Sequence, residues 1–411
     1  MDKEAKDIIN YLRSPAAIRE RCEQIFKLGC EDKLRYFRCN LNQLNAVAEY
    51  VIGVIKQDYP DLNIPFHSRW RHFECGGVQR VAQLEEKLRH LTAVEKAKVK
   101  FDLAIVSVLL DAGAGGEWKY YETETNQTFQ RSEGLAIASF RMFCNGKFSS
   151  NSQQPLQADA FGLENLSESS LAEEFQVNEN NPIVGLNGRL ELLQRLGKVL
   201  QNYPQFFGTE NPRLGNLVTY LVNTAQNGTL QASIVLQAIL ESLGEIWPGR
   251  YTINNGNLGD VWPHYALQGN DLGAEYVPFH KLSQWMTYSL LEPLEELGLK
   301  ITNLDELTGL PEYRNGGLCL DLGLLEIKDK TVLQKAHLPN SEIIVEWRAL
   351  TVILLDLIAD QIRNKLGMRA ADLPLLKVLQ GGTWTAGRKI AAELREGGVP
   401  PLTIVSDGTV F

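Results

Sequence analysis

A mainly α-helical, multi-helix fold with short β pieces is predicted, and three observations predict it. Residues 343–366 form the longest periodic segment, with Ile343, Val345, Trp347, Leu350, Leu354 and Ile358 among residues that cover nearly the whole circumference of a helix. Leu186, Leu190, Leu193, Leu196 and Leu200 make an amphipathic stripe. Leu44, Val47, Ala48, Val51 and Ile55 repeat the same spacing near the start of the chain.

Composition bounds the function. The chain has 411 residues, 44% hydrophobic and 22% charged, which is ordinary for a soluble globular protein. A formal net charge of −9 and a pI near 5.4 give no concentrated basic surface, so no nucleic-acid partner is expected. The charged start Met1-Asp2-Lys3-Glu4 lacks an apolar signal core. The longest apolar runs, such as residues 103–110, fall well short of the ~20 residues of a membrane span. A cytoplasmic protein without membrane association is expected. The 6 cysteines form no Cys-x-x-Cys pair, and reduced, mostly packed thiols are expected.

Residues 2–58 read as helices, with Ser14 capping a helix that begins at Pro15 and a further helix ending near Tyr59-Pro60. The string His67-Ser68-Arg69-Trp70-Arg71-His72-Phe73-Glu74 follows, closed by Gly76-Gly77. Such density of donors and rings suits a grip on an anionic or sugar-like ligand. It equally suits a seam where amphipathic side chains bury their stems. Residues 94–110 read as a helix buried at its end, which stops at Asp111-Ala112-Gly113. Asp111 sits against the helix dipole, so a ligand contact, a nearby arginine or an exposed terminus is needed to explain it.

Arg131 to Phe143 read as a helix, and residues 145–182 turn to Ser, Asn, Gln and Glu, a surface excursion anchored by Leu156, Phe161, Leu163, Leu166 and Phe175. The predicted organisation is therefore an N-terminal helical region over 1–145, a polar connection over 146–182 and a helical catalytic region over 183–411, the two regions sharing one cleft. In the last region, 217–224 and 230–246 read as helices split by Asn227-Gly228. Phe279-His280-Lys281 opens another that runs to about Leu297, and Gly381-Gly382-Thr383-Trp384 precedes the final helix. The chain is expected to end in a short strand and turn over 405–411.

Residues 307–318 carry the first catalytic candidate. Pro311 and the pair Gly316-Gly317 read as turn signals around Glu312 and Arg314. Two readings fit: a surface loop with a solvated ion pair, or constrained backbone holding a carboxylate toward a pocket. Glu346 and Arg348, in the first turn of the apolar helix, each require a partner on another element. No zincin, nucleophile-elbow, kinase, P-loop or dinucleotide motif occurs, and the 6 His are scattered, so no metal and no cofactor are expected. Carboxylates, arginines and aromatics remain, a set suited to acid/base work or to stabilising a cationic transition state.

Several strings resemble the uracil-catabolism protein 4 family from end to end. They are residues 67–74, Ser132-Glu133-Gly134-Leu135-Ala136, Pro311-Glu312-Tyr313-Arg314-Asn315-Gly316-Gly317, Glu346-Trp347-Arg348-Ala349-Leu350, Gly381-Gly382-Thr383-Trp384 and Ser406-Asp407-Gly408-Thr409-Val410-Phe411. The resemblance implies a part in pyrimidine degradation, in breakdown of ribosylurea, the ring-opened uracil nucleoside, or its nucleotide. A second likeness covers about residues 188–387 and is to queuosine-nucleotide salvage glycosidases, all-helical relatives of helix-hairpin-helix DNA glycosylases. It implies a DNA-glycosylase-like second half. Phe279-His280-Lys281 resembles their aromatic-x-Lys, whose Lys holds a 5′-phosphate. Glu312-Tyr313-Arg314 resembles their catalytic Asp-Tyr-Arg, with Glu in place of Asp, and Glu346-Trp347-Arg348 resembles their Glu-x-x-Arg.

The expectation is hydrolysis of an N-ribosyl bond in a small nucleoside or nucleotide derivative. Glu312 is the expected catalytic carboxylate, with Asp111 next in line. Lys281, His280, Arg314, Glu346, Arg348, His67, Arg69, Trp70, Arg71 and Trp384 are the expected substrate-binding residues. The alternative is a non-catalytic carrier of the ring-opened intermediate.

Overall fold

The computed structural model describes residues 3–247 and 250–405. It is mainly α, with strands of two to four residues paired only two at a time. The end string Ser406–Phe411 and the start Met1-Asp2 lie outside the described residues. The described chain forms two compact units that interleave along the sequence: 3–67, 250–284 and 303–405 in the first, 68–247 and 285–302 in the second.

The first unit is built on helix Glu342–Leu366, 25 residues closed by Gly367 at φ 65. Its first two-thirds are buried almost all round, which the periodicity predicts, because helices Pro15–Cys30 and Leu44–Asp58 pack along it. Ser14 caps the first of these by accepting Ala17 N–H at 3.1 Å. Glu346 lies beyond the first turn, since the helix begins at Glu342.

Gly316-Gly317, which the sequence suggests as a turn, sits inside helical structure, and so does Gly381-Gly382, expected just ahead of the final helix. Gly316 and Gly317 belong to helix Tyr313–Asp321, and Gly381-Gly382 to a wide helical turn over Leu379–Thr383 that runs into helix Trp384–Leu394. The reason is close approach. A Cβ on Gly316 would lie 2.7 Å from Trp347 Cε2, and one on Gly382 would run into Val51. Helices Tyr313–Asp321 and Trp384–Leu394 meet so tightly that a Cβ on Gly387 would collide with the Arg314 carbonyl.

In the second unit, helix Ala93–Leu109 is buried through its whole second half and packs on helix Arg131–Cys144. A hairpin, Lys119–Glu122 with Gln127–Gln130, presents Glu122 to Arg80 and Arg141. The polar excursion holds helices Ala160–Glu164 and Glu168–Glu174, anchored by buried Leu163, Leu166 and Phe175. Phe161, expected among the anchors, is 50% exposed; it falls on the outer face of a five-residue helix whose buried positions are Ala160 and Leu163. Residues 230–246 are not one helix. Leu230 pairs with Ile301 in a parallel bridge of strands after the Asn227-Gly228 turn, and the helix is Ala232–Leu243. Helix Lys281–Glu296 gives its first turn to the first unit and the rest to the second.

Candidate active site

The first unit assembles its polar cluster around Asp260, which precedes the short strand Val261–Pro263. The Asp260 carbonyl accepts Phe279 N–H at 2.9 Å, and its Oδ2 accepts Lys281 N–H at 3.0 Å. An aspartate 21 residues upstream thus supplies the acceptor for the start of the Lys281 helix. Arg348 grips the same carboxylate with both terminal nitrogens, at 2.8 and 2.7 Å, and Trp262 Nε1 donates to Oδ1 at 2.7 Å. Burial pushes the Asp260 carboxyl up, but Arg348, Trp262 and Lys281 N–H outweigh it and hold it well below the usual carboxylate range. Arg348 lies 4.1 Å over the Phe279 ring, and its Nε donates to Pro311 O at 3.3 Å. One guanidinium therefore ties the start of the Lys281 helix to the residue before Glu312.

Glu312 is the N-cap of helix Tyr313–Asp321. Its Oε2 accepts Arg314 N–H at 2.7 Å and its Oε1 accepts Asn315 N–H at 2.6 Å. The carboxylate is thus fixed by backbone while remaining partly exposed. Burial raises its proton affinity, the two N–H bonds and the Lys281 and Arg314 charges lower it, and the net result lies above the ordinary carboxyl value. Lys281 is close enough to act on Glu312 electrostatically. The solvated Glu312–Arg314 ion pair of the loop reading is not what forms. Arg314 is buried, stacks 4.9 Å over Tyr313 and donates to Gly398 O at 2.7 Å.

The remaining first-unit candidates are packed more deeply. Glu346 is fully buried and accepts Arg35 N–H, Tyr36 N–H and the Tyr265 hydroxyl at 3.2, 3.1 and 2.9 Å, with His264 Nε2 3.7 Å away. His280 has φ 47 and its Nε2 meets Leu12 O at 2.9 Å. His67 Nδ1 meets Gln380 Oε1 at 3.0 Å, and its ring lies 5.6 Å from that of Trp384. Burial pushes both His67 and His280 down to about 4, against an opposing hydrogen bond in each case, so neither carries positive charge near neutral pH. Trp384 is half-buried under the Arg388 guanidinium, 4.9 Å away.

Asp111, Arg69, Trp70 and Arg71 fall in the second unit. Arg69 is fully buried and donates from Nε to Ser107 Oγ at 2.7 Å and from Nη1 to Asp111 Oδ1 at 2.7 Å. Asp111 also accepts the Ser132 hydroxyl at 3.0 Å. A nearby arginine thus explains an acid at a helix C-terminus, and Arg189 Nε donates to Leu110 O there at 3.2 Å. Trp70 Nε1 donates to Ser289 O at 2.7 Å, and Arg71 pairs with Glu292 at 2.7 Å.

Sequence reasoning missed Asp260, Gln284 and Asn315. Asp260 carried one signal, a lone acid between a Gly/Asn-rich loop and Trp262-Pro263. The other two are ordinary amides one turn after Lys281 and Glu312, and no spacing singles them out. Among the described residues, no group of three or more His, Cys, Asp or Glu is placed to hold a metal ion, and no helix is long and apolar enough to cross a membrane.

The chain belongs to the DUF1688 family, described as proteins of unknown function, whose model matches residues 11–411. It is 38% identical to "Uracil catabolism protein 4" of Lachancea kluyveri, over 98% of this chain and 99% of that protein. It is likewise 38% identical to "Protein urg3" of Schizosaccharomyces pombe, again over 98% of this chain and 99% of the relative.

Proposed function

We propose that this protein acts in uracil catabolism, hydrolysing the N-ribosyl bond of ribosylurea or its 5′-phosphate. The name of the Lachancea relative, a uracil catabolism protein, supports the pathway. The observation that carries the chemistry is the Glu312 carboxylate, partly exposed, fixed by two consecutive backbone N–H groups and subject to the charge of Lys281. Cleavage of the C1′–N bond gives an oxocarbenium-like sugar, and a preorganised carboxylate stabilises that charge. Each Glu312 oxygen has one lone pair engaged by backbone and a second available to take a proton from water as its oxygen bonds to C1′. The bond electrons leave with the nitrogen, which takes up the equivalent of the proton that Glu312 removed from water, so one water is consumed and the products are urea and ribose or ribose 5-phosphate. Lys281, the first residue of a 16-residue helix, brings a positive charge suited to a phosphate. The likeness to salvage glycosidases supports the same two roles. Purified protein should release urea from ribosylurea in a colorimetric assay. Tight binding of ribosylurea without urea release would instead assign the carrier role.

A further inference from the structure

Two fully buried amides stand one turn behind the two charged groups of this site. Gln284 follows Lys281 by three residues, and Asn315 follows Glu312 by three. Both are 0% exposed, and both hang on the loop that leads into Glu312. Asn315 Nδ2 donates to Leu310 O at 3.1 Å, and Gln284 Nε2 donates to Thr308 Oγ1 at 3.0 Å. In each case the nitrogen end is engaged and the oxygen end is not. Asn315 Oδ1 and Gln284 Oε1 are both buried with no hydrogen-bond partner.

The orientation of Asn315 is not arbitrary. Its amide nitrogen faces a carbonyl, which can only accept, so the oxygen must face the other way. Buried acceptors without partners are rare in native proteins and costly, and two of them flanking one short loop call for a common cause. Asn315 presents an unmet acceptor, and Gln284 does so in the orientation in which Thr308 Oγ1 accepts from its Nε2; a ligand carrying N–H or O–H donors satisfies both. A fully ionised phosphate or carboxylate would put acceptor against acceptor at Asn315 Oδ1.

We propose that Asn315 and Gln284 determine specificity by accepting the N–H donors of the leaving group, which makes the substrate's nitrogen portion ureido- or amide-like. This rests on the reading of Glu312 and Lys281 as the sugar and phosphate ends of the site. The donor-rich leaving group then lies on the helix turns just behind them. A site with buried acceptors discriminates against an analogue lacking the matching donors, because the acceptors are left unpaired in the complex.

The test compares ribosylurea with its terminal N,N-dimethyl analogue, which lacks those donors. Binding of both is measured by calorimetry in a Glu312→Gln background so that neither is consumed, and urea release from ribosylurea is followed in the wild type. The wild-type amides should favour ribosylurea by about tenfold or more for each bond. Asn315→Leu, and separately Gln284→Met, should each reduce that preference by about tenfold, with thermal unfolding confirming a folded protein. Gln284→Met keeps the side chain's length and serves if Asn315→Leu does not fold. A preference unchanged in the folded variants, alongside urea release by the wild type, overturns this inference alone. Absence of both binding and urea release in the parent proteins overturns the reading of the site and this inference with it.

Discussion

Two glutamates of the first unit share one motif and differ in what surrounds it. Glu346 accepts the N–H groups of Arg35 and Tyr36, and Glu312 accepts those of Arg314 and Asn315. Each carboxylate thus straddles two successive backbone amides. Glu346 then also takes the Tyr265 hydroxyl, faces His264 and is fully buried. Glu312 takes no further donor of that kind, stays partly exposed and feels Lys281. The same local geometry serves to hold the 35–36 segment in one place and to aim a carboxylate in the other. Remaining lone pairs, access and the nearby Lys281 charge separate the two, not backbone anchoring.

Breaking the frame behind Glu312 should have the largest effect. Asp260→Asn leaves Arg348 buried against a neutral partner and weakens the acceptor at the start of the Lys281 helix. It should cost about 3–5 kcal/mol in urea unfolding, with activity lost through the fold. Glu346→Gln comes next. One end of the new amide places a donor against a backbone donor, so a loss of about 1–3 kcal/mol is expected. The folded fraction should keep its kcat, and a large drop in kcat at full folding would move Glu346 into the chemistry.

Lys281→Met sharpens the contrast at Glu312. It should raise KM for a 5′-phosphorylated substrate by about tenfold or more while sparing the unphosphorylated one. It should also shift the acid limb of kcat/KM. Burial raises Glu312 from its ordinary value of 4.5, so activity that needs the ionised form falls off at a higher pH than an unperturbed glutamate would set. Losing the Lys281 charge removes a lowering influence, so the limb should move further up. The sign for stability is opposite. A carboxyl raised in the folded state favours the fold below its unfolded pKa and loses that contribution as pH rises through the folded value. Glu122 supplies a contrasting control. Burial raises it, but Arg80, Thr125 and Arg141 bring it down to about 2. Its contribution is present above the unfolded value of 4.5 and is lost on acidification toward 2. Unfolding midpoints measured across pH 2–7 in wild type and Glu122→Gln should converge at the acid end.

Much of the frame was legible in sequence because it rests on period and local caps. The Glu342–Leu366 helix, the Ser14 cap and the need of Glu346 and Arg348 for partners all follow from spacing and burial. The Gly316-Gly317 pair misled, because sequence does not distinguish glycine chosen for a turn from glycine chosen for contact. Gly316 gives way to Trp347, and Gly387 to the Arg314 backbone. Asp260 stayed hidden because its bond to Arg348 spans 88 residues. The Arg69 cluster read equally as a ligand grip or as a seam of buried stems, and its donors largely meet Ser107, Asp111 and Ser289 inside the second unit. A dense run of donors looks the same in sequence whether a ligand or the protein itself accepts them.

The charge on Glu312 is expected to matter more in the transition state than in the fold. Glu312→Gln keeps the shape and one capping oxygen, so stability should change by about 1 kcal/mol. Steady-state urea release from ribosylurea should fall by ~10² to 10³ in kcat, with KM changed much less. A folded Glu312→Gln protein with undiminished kcat contradicts the account and passes the catalytic role to another carboxylate, Asp111 first.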